Sequence, residues 1–218
     1  MAEKTHIIRE LERRLKDEYN KADESDDDKL LIGFLKFNEA LKKKADLKAM
    51  LTECGMTIYR LFPFKEIGIG LWNPADCAYR YEFLVGHSPA AQEAHKNIKL
   101  SLEDMMDGKD VCYLQISKYT QFNFTEGLKD DPMAKDEALF NRPSLLASKR
   151  QTTDIMLEGD YFDTYMFNQK DEMIGWFEVC NTKDNKMPSM KTMKWLEAYA
   201  ALLAHMVEGA VGTTKGSW

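Results

Sequence analysis

No Cys-x-x-Cys pair occurs in this sequence, and its four cysteines (Cys54, Cys77, Cys112 and Cys180) stand far apart with no histidine at a zinc-ligand spacing. A disulfide framework and a zinc finger are therefore excluded, and ordinary reduced thiols are expected. No uncharged apolar run approaches the ~20 residues needed to span a bilayer, and the first residues, "MAEKTHIIRELERR", carry charges where a signal peptide would have an apolar core. A soluble, cytoplasmic protein without a membrane role is the expectation. Nor is there an excess of positive charge: the net charge of -6 argues against a surface built on phosphate neutralisation, so nucleic acid is not expected as a partner. "GIG" at 68–70 lacks the third glycine and the following lysine of a phosphate-binding loop, and "RPS" around Ser144 is no nucleophile elbow. Neither a nucleotide hydrolase nor a serine hydrolase is supported.

What the chain does have is length and pattern. With 218 residues and 44% hydrophobic content it can bury a substantial core. From Thr5 to about Tyr19, Ile8, Leu11 and Leu15 make a narrow stripe on a charged helix. "DESDDD" at 23–28 reads as an acidic linker, so residues 1–28 are taken as an N-terminal helix and linker, and 29–218 as one domain. Leu30, Phe34, Phe37 and Leu41 mark a second helix. Asp46 is placed to cap a third, along which Leu47, Leu51, Cys54, Ile58 and Leu61 share a side.

The period changes to two after Pro63. "EIGIGLW" and "CAYRYEFLV", joined by "NPAD", predict an antiparallel hairpin over 66–86 whose second strand carries Tyr79, Tyr81, Phe83 and Val85 on one face. Ser88 with Pro89 opens a short helix, and Ser101 with Asp104 forms a capping box for another, which Gly108 can stop. "VCYLQIS" is the third expected strand. Residues 117–150 form a long, partly helical excursion of the kind that serves as a lid or binding loop. "TTDIMLE", "YFDTYMFN" and "EMIGWFEVCN" are expected as three further strands. A closing helix from Ser189 follows, with Met193, Leu196, Ala200, Leu203 and Val207 on one side.

The aromatic residues of the expected strands, Tyr79, Tyr81, Phe83, Tyr113, Tyr165, Phe167 and Trp176, can line a pocket beneath the short helices and the long loop, a setting suited to a small planar ligand. Arg142 is the candidate for a charged ligand contact, because a guanidinium holds an anion in two-pronged fashion. His87 and His95 flank one short helix and can meet, yet two imidazoles without a third ligand make a poor metal site. Surface or capping roles suit them, and neither a metal site nor a particular cofactor is read from the sequence.

"ADLKAMLTECGMTIYRLFPFKEIGIGLW" resembles the opening helix and first strand of the GAF domains, and "EMIGWFEVCNTKDNKMPSMKTMKWLEAYAALLAHMV" resembles their last strand, turn and final helix. The similarity spans roughly residues 45 to 208. It implies an α+β fold: a central antiparallel sheet with the N- and C-terminal helices on one face, and crossover helices and a long loop on the other. It further implies sensing or regulation, by binding a small molecule or through protein contacts that signal to a separate protein. Relatives that bind cyclic nucleotides often follow the asparagine with lysine, then phenylalanine and an acidic pair; here Asn181 is followed by Thr182, and Pro188, Thr192 and Met193 stand in the later places. No cysteine has histidine as its next residue, which speaks against a covalently attached bilin. Small relatives reduce free methionine-R-sulfoxide through cysteines, for which Cys77 and Cys112 would be the nearest candidates. A homodimer, formed by helices 5–19 and 189–210, and a purely structural dimerisation module complete the expectations.

Overall fold

A computed structural model describes residues 25–43, 46–106, 113–125 and 136–208 of the chain. The helix expected over 5–19, Cys112 and Gly108 lie outside them. In chain order the elements are α1 (Asp26–Lys42), α2 (Leu47–Leu61), β1 (Phe64–Asn73), β2 (Ala78–Val85), α3 (Pro89–Asn97), α4 (Leu102–Met106), β3 (Tyr113–Gln115), β4 (Thr120–Asn123), β5 (Tyr161–Phe167), β6 (Met173–Thr182) and α5 (Met190–Val207). Two 3-10 turns, Glu137–Leu139 and Pro143–Leu145, lie between β4 and β5. The strands form one antiparallel sheet in the order β2-β1-β6-β5-β4-β3.

Helix ends follow local chemistry. Asp46 accepts a hydrogen bond from Ala49 N at 2.7 Å, Ser88 from Ala91 N at 3.1 Å, and Ser189 from Thr192 N at 3.1 Å, each satisfying a donor that the first helical turn leaves free. Ser101 and Asp104 exchange the reciprocal pair of a capping box, at 2.7 and 3.1 Å. The acidic run departs from expectation: Ser25 accepts from Asp28 N at 3.1 Å, and the last three aspartates open α1 instead of forming a linker. Carboxylates are stabilised at a helix N-terminus, which offsets their mutual repulsion.

α1, α2 and α5 cover one face of the sheet. Tyr199 of α5 is the centre of that layer: its ring stacks on Phe37 at 5.8 Å, meets Phe62 edge-on at 5.5 Å, and its hydroxyl donates to Leu30 O. Ile67, Ile69 and Leu71 of β1 and Phe177 and Val179 of β6 face these helices. The whole stripe expected on α5, from Met193 to Val207, is buried in this core. A dimer would therefore need another surface than that stripe.

Two strand expectations are corrected. Residues 152–158 make only one bridge, Ile155 to Lys186, because Asp160 accepts from Leu157 N at 2.7 Å and turns the backbone there. The missing strand is β4, from the stretch read as a loop. Ser117 Oγ accepts from Tyr119 N and Thr120 N, shaping the turn from β3, while Phe122 packs on Phe162 at 4.6 Å.

The third correction concerns the face of β2. Ile69 pairs with Phe83, yet Gly70 pairs with Tyr81, so Glu82 is an extra residue in a β-bulge. The bulge reverses the alternation. Phe83 and Val85 pack with the helix-side core, whereas Tyr79 and Tyr81 belong to the opposite face. Phe83 sits over Gly55 of α2, where an added Cβ would lie 2.1 Å from the ring.

Candidate functional site

On the face away from α1, α2 and α5, here termed distal, Trp176 of β6 lies flat across Gly70 of β1; a Cβ on Gly70 would come within 2.0 Å of the indole. The glycine lets the largest side chain of β6 lie against the sheet. Tyr79 and Tyr81 then meet Trp176 edge-on, at 6.2 and 5.0 Å, and Trp72 meets Tyr79 at 5.1 Å. Tyr79 donates to Met173 O at 2.9 Å, and Tyr165 donates to Met105 O at 3.0 Å, tying α4 to the sheet. Phe167 packs at the edge of this cluster against Tyr165. Tyr113, half-buried on β3, pairs with Asn123 next to β5. Of the expected aromatic wall, Phe83 alone is turned to the helix side by the bulge.

The same face holds an unexpected set of buried ionisable groups. Glu66, His87, His95, Asp163 and Glu178 are each less than 10% exposed. The histidines are thus interior, against the expectation of surface or capping roles. His95 Nδ1 lies 2.7 Å from Ala91 O and His87 Nδ1 lies 3.2 Å from Val85 O. A carbonyl only accepts, so each Nδ1 carries the proton. The rings meet at 4.9 Å, and His95 Nε2 lies 3.8 Å from Glu178 Oε1. Tyr81 donates to the other oxygen of Glu178 at 2.5 Å. Burial and the nearby charge of His95 push His87 down to about 4, so it is neutral at pH 7.

Asp163 lies directly across from Glu178 in the β5–β6 register. Burial, reinforced by the charge of Glu178, holds its carboxyl well above the ordinary range. The Gln121 and Asn123 side chains oppose that rise; Asn123 donates to Asp163 Oδ2 at 3.1 Å, Gln121 stands directly opposite on β4, and Oδ1 has no partner within hydrogen-bond geometry among the described residues. Burial, with the carboxylates of Glu178, Glu66 and Asp163, pushes the Cys180 thiol up, which disfavours the thiolate that redox chemistry needs. Cys77 is exposed at the hairpin turn, with φ at 50°.

A second network closes the end of this face. Asn141 donates to Glu66 Oε1 at 2.8 Å and to Gly86 O at 2.9 Å, and its own oxygen accepts from Ser88 N at 2.6 Å. Asn181, in the left-handed region at φ 49°, also donates to Glu66 Oε1, at 2.9 Å. Arg142 places Nε 2.9 Å from Glu158 Oε2 and an NH2 group 2.9 Å from Asn181 Oδ1. Its guanidinium, half-exposed, is held by internal partners. Burial and the Glu158 carboxylate raise Glu66 to about 7.

No protein-family model and no curated protein sequence matches the chain. Solved structures do. The GAF domain of a phosphoenolpyruvate-protein phosphotransferase from Acinetobacter superposes with a TM-score of 0.54 at 12% identity, over 83% of this chain and 93% of that one. The fold of this chain is GAF-like. A GAF domain/HD domain protein from Geobacter sulfurreducens gives a TM-score of 0.52 at 12% identity, over 78% of this chain and 96% of its own. At such identities the likeness establishes the GAF architecture and leaves the chemistry to the residues. Among the described residues no helix is long and apolar enough to cross a membrane.

The sequence offered no signal for Glu66, Asp163 and Glu178. Each is one acidic residue in a strand, and only the pairing of β1, β5 and β6 brings them to one face. The position of Asn181 was marked by the GAF resemblance, but its partners were not.

Proposed function

We propose that this GAF-like domain is a sensory or regulatory module that binds a small molecule on the distal face of its sheet. One observation carries the reading. The two buried side-chain polar atoms without hydrogen-bond partners among the described residues, Trp72 Nε1 and Asp163 Oδ1, both belong to that face. One is an indole N–H and the other a carboxyl oxygen. Buried polar groups are nearly always paired, and leaving one unpaired costs about 1–3 kcal/mol, so a ligand that pairs either of them recovers that cost. The aromatic edges of Tyr79, Tyr81 and Trp176 supply the apolar contact beside them. Sensing is what the likeness to GAF domains implies.

Thermal denaturation of the purified chain against a panel of small metabolites tests binding, because a ligand of the native state alone raises the melting temperature. Titration followed by tryptophan fluorescence in a Trp195→Phe, Trp218→Phe variant then locates it, since the remaining Trp72 and Trp176 both pack in the distal cluster. A panel that leaves the melting temperature and the fluorescence unchanged at millimolar ligand would overturn the reading.

A further inference from the structure

We propose that His87, His95 and Glu178 form a binding site for one divalent transition-metal ion, with a coordination position left open to the distal face. The proposal deepens the binding reading above, because the ion would sit on the same face as the ligand.

One ligating atom from each of the three residues lies within 4.8 Å of the other two, and all three residues are buried. The tautomers are set by the backbone. Both Nδ1 atoms face carbonyl oxygens, at 2.7 and 3.2 Å, so Nε2 is the nitrogen each ring has left to offer a ligand. Metal-bound histidines are held in the same way, with the second nitrogen donating to a carbonyl or carboxylate. His95 Nε2 lies 3.8 Å from Glu178 Oε1, an oxygen that also accepts from the Cys180 thiol at 3.6 Å. The 3.8 Å separation is too long for a hydrogen bond between nitrogen and oxygen. It is near the ~3.3 Å that separates two ligands of one tetrahedral ion with bonds of about 2.0–2.1 Å.

The surroundings fit a cation. Glu178 is fixed by the Tyr81 hydroxyl on its other oxygen, an outer contact that orients a ligating carboxylate. Asp163 adds a second buried carboxyl directly across the strand pair. Among the described residues no lysine or arginine is paired with either carboxylate. Two imidazoles and one carboxylate are a donor set for zinc, iron(II) or cobalt, and they leave room for water or another small ligand.

The test uses the full chain, treated with chelator and titrated with cobalt(II), followed by competition with zinc. One ion per chain, a visible absorption spectrum of low coordination number and a raised melting temperature are expected. X-ray absorption of the zinc-loaded protein should show two imidazoles. Glu178→Gln and His95→Gln should each weaken binding by about 100-fold or more, Tyr81→Phe by about 10-fold, and His205→Ala not at all. Absence of saturation below about 1 mM metal in the unmodified protein would overturn the proposal. So would X-ray absorption without imidazole, a readout that holds even where a variant misfolds. An organic ligand bound by a chain that shows no metal saturation would sink this inference and leave the function intact; metal bound with no organic ligand from the panel would do the reverse.

Discussion

Replacing Glu66 with glutamine should stabilise the protein at alkaline pH and leave it nearly unchanged at acid pH. The carboxyl is buried, takes two amide hydrogen bonds on one oxygen, and faces the Glu158 carboxylate. Its value rises from 4.5 in the unfolded chain to about 7 in the folded one. The folded state therefore keeps a proton that the unfolded state has released, and stability is lost as pH climbs through that window. At about 1.4 kcal/mol per unit, the full loss is about 3 kcal/mol, complete above pH 7 and absent below about 4.5. Glutamine has the shape of the protonated acid, and its oxygen can accept from both Asn141 and Asn181. It never ionises.

Urea denaturation of both proteins at several pH values between 4 and 8, followed by circular dichroism, isolates the effect, since every other titrating group is common to the pair. The variant should match the parent near pH 4 and exceed it by about 3 kcal/mol at pH 8. A difference independent of pH would show that Glu66 is not the titrating group. A variant less stable at pH 8 would show that Arg142 and the two asparagines outweigh burial.

Gly70→Ala should cost about 1–3 kcal/mol, because the added methyl must displace the Trp176 ring; chemical denaturation reads the loss, and a shifted tryptophan emission identifies its source. Asp160→Ala should cost about 3–5 kcal/mol, since the fully buried carboxylate accepts from Leu157 N, Thr125 N and the Arg150 guanidinium, which would lose its counter-charge. A melting temperature unchanged within error would contradict that role.

Local chemistry made much of the fold readable. Asp46, Ser88, Ser101 and Ser189 cap helices through contacts spanning three residues, so a short window of sequence contains the whole cause. The stripe from Met193 to Val207 was equally plain, because helical period alone places it. β4 was hidden for the opposite reason: Thr120–Asn123 is too short to show a period, and Thr120 is held by Glu197 of α5, far along the chain. The candidate site was the least readable part. His95 lies in α3 and His87 just before its cap, but the carboxylate that gives them chemical meaning comes from β6 and is placed only by sheet pairing.

The bulge at Glu82 explains why the face of β2 could not be read by counting alternate residues, and it separates two roles that one regular strand would have merged. With the bulge, Phe83 fills the gap over Gly55 beneath the helices, and Tyr81 reaches Glu178 on the distal face. Their substitutions should therefore part company. Phe83→Ala should cost about 2–3 kcal/mol, less than the ~3–5 of a fully buried ring because Phe83 is half-buried, with ligand or metal affinity retained in the folded fraction. Tyr81→Phe removes one hydroxyl and little volume, so the fold should persist while affinity on the distal face falls. Paired denaturation and binding titrations on the two variants decide the matter. Equal losses of affinity in both would mean that the two faces act as one unit and that the bulge does not divide them.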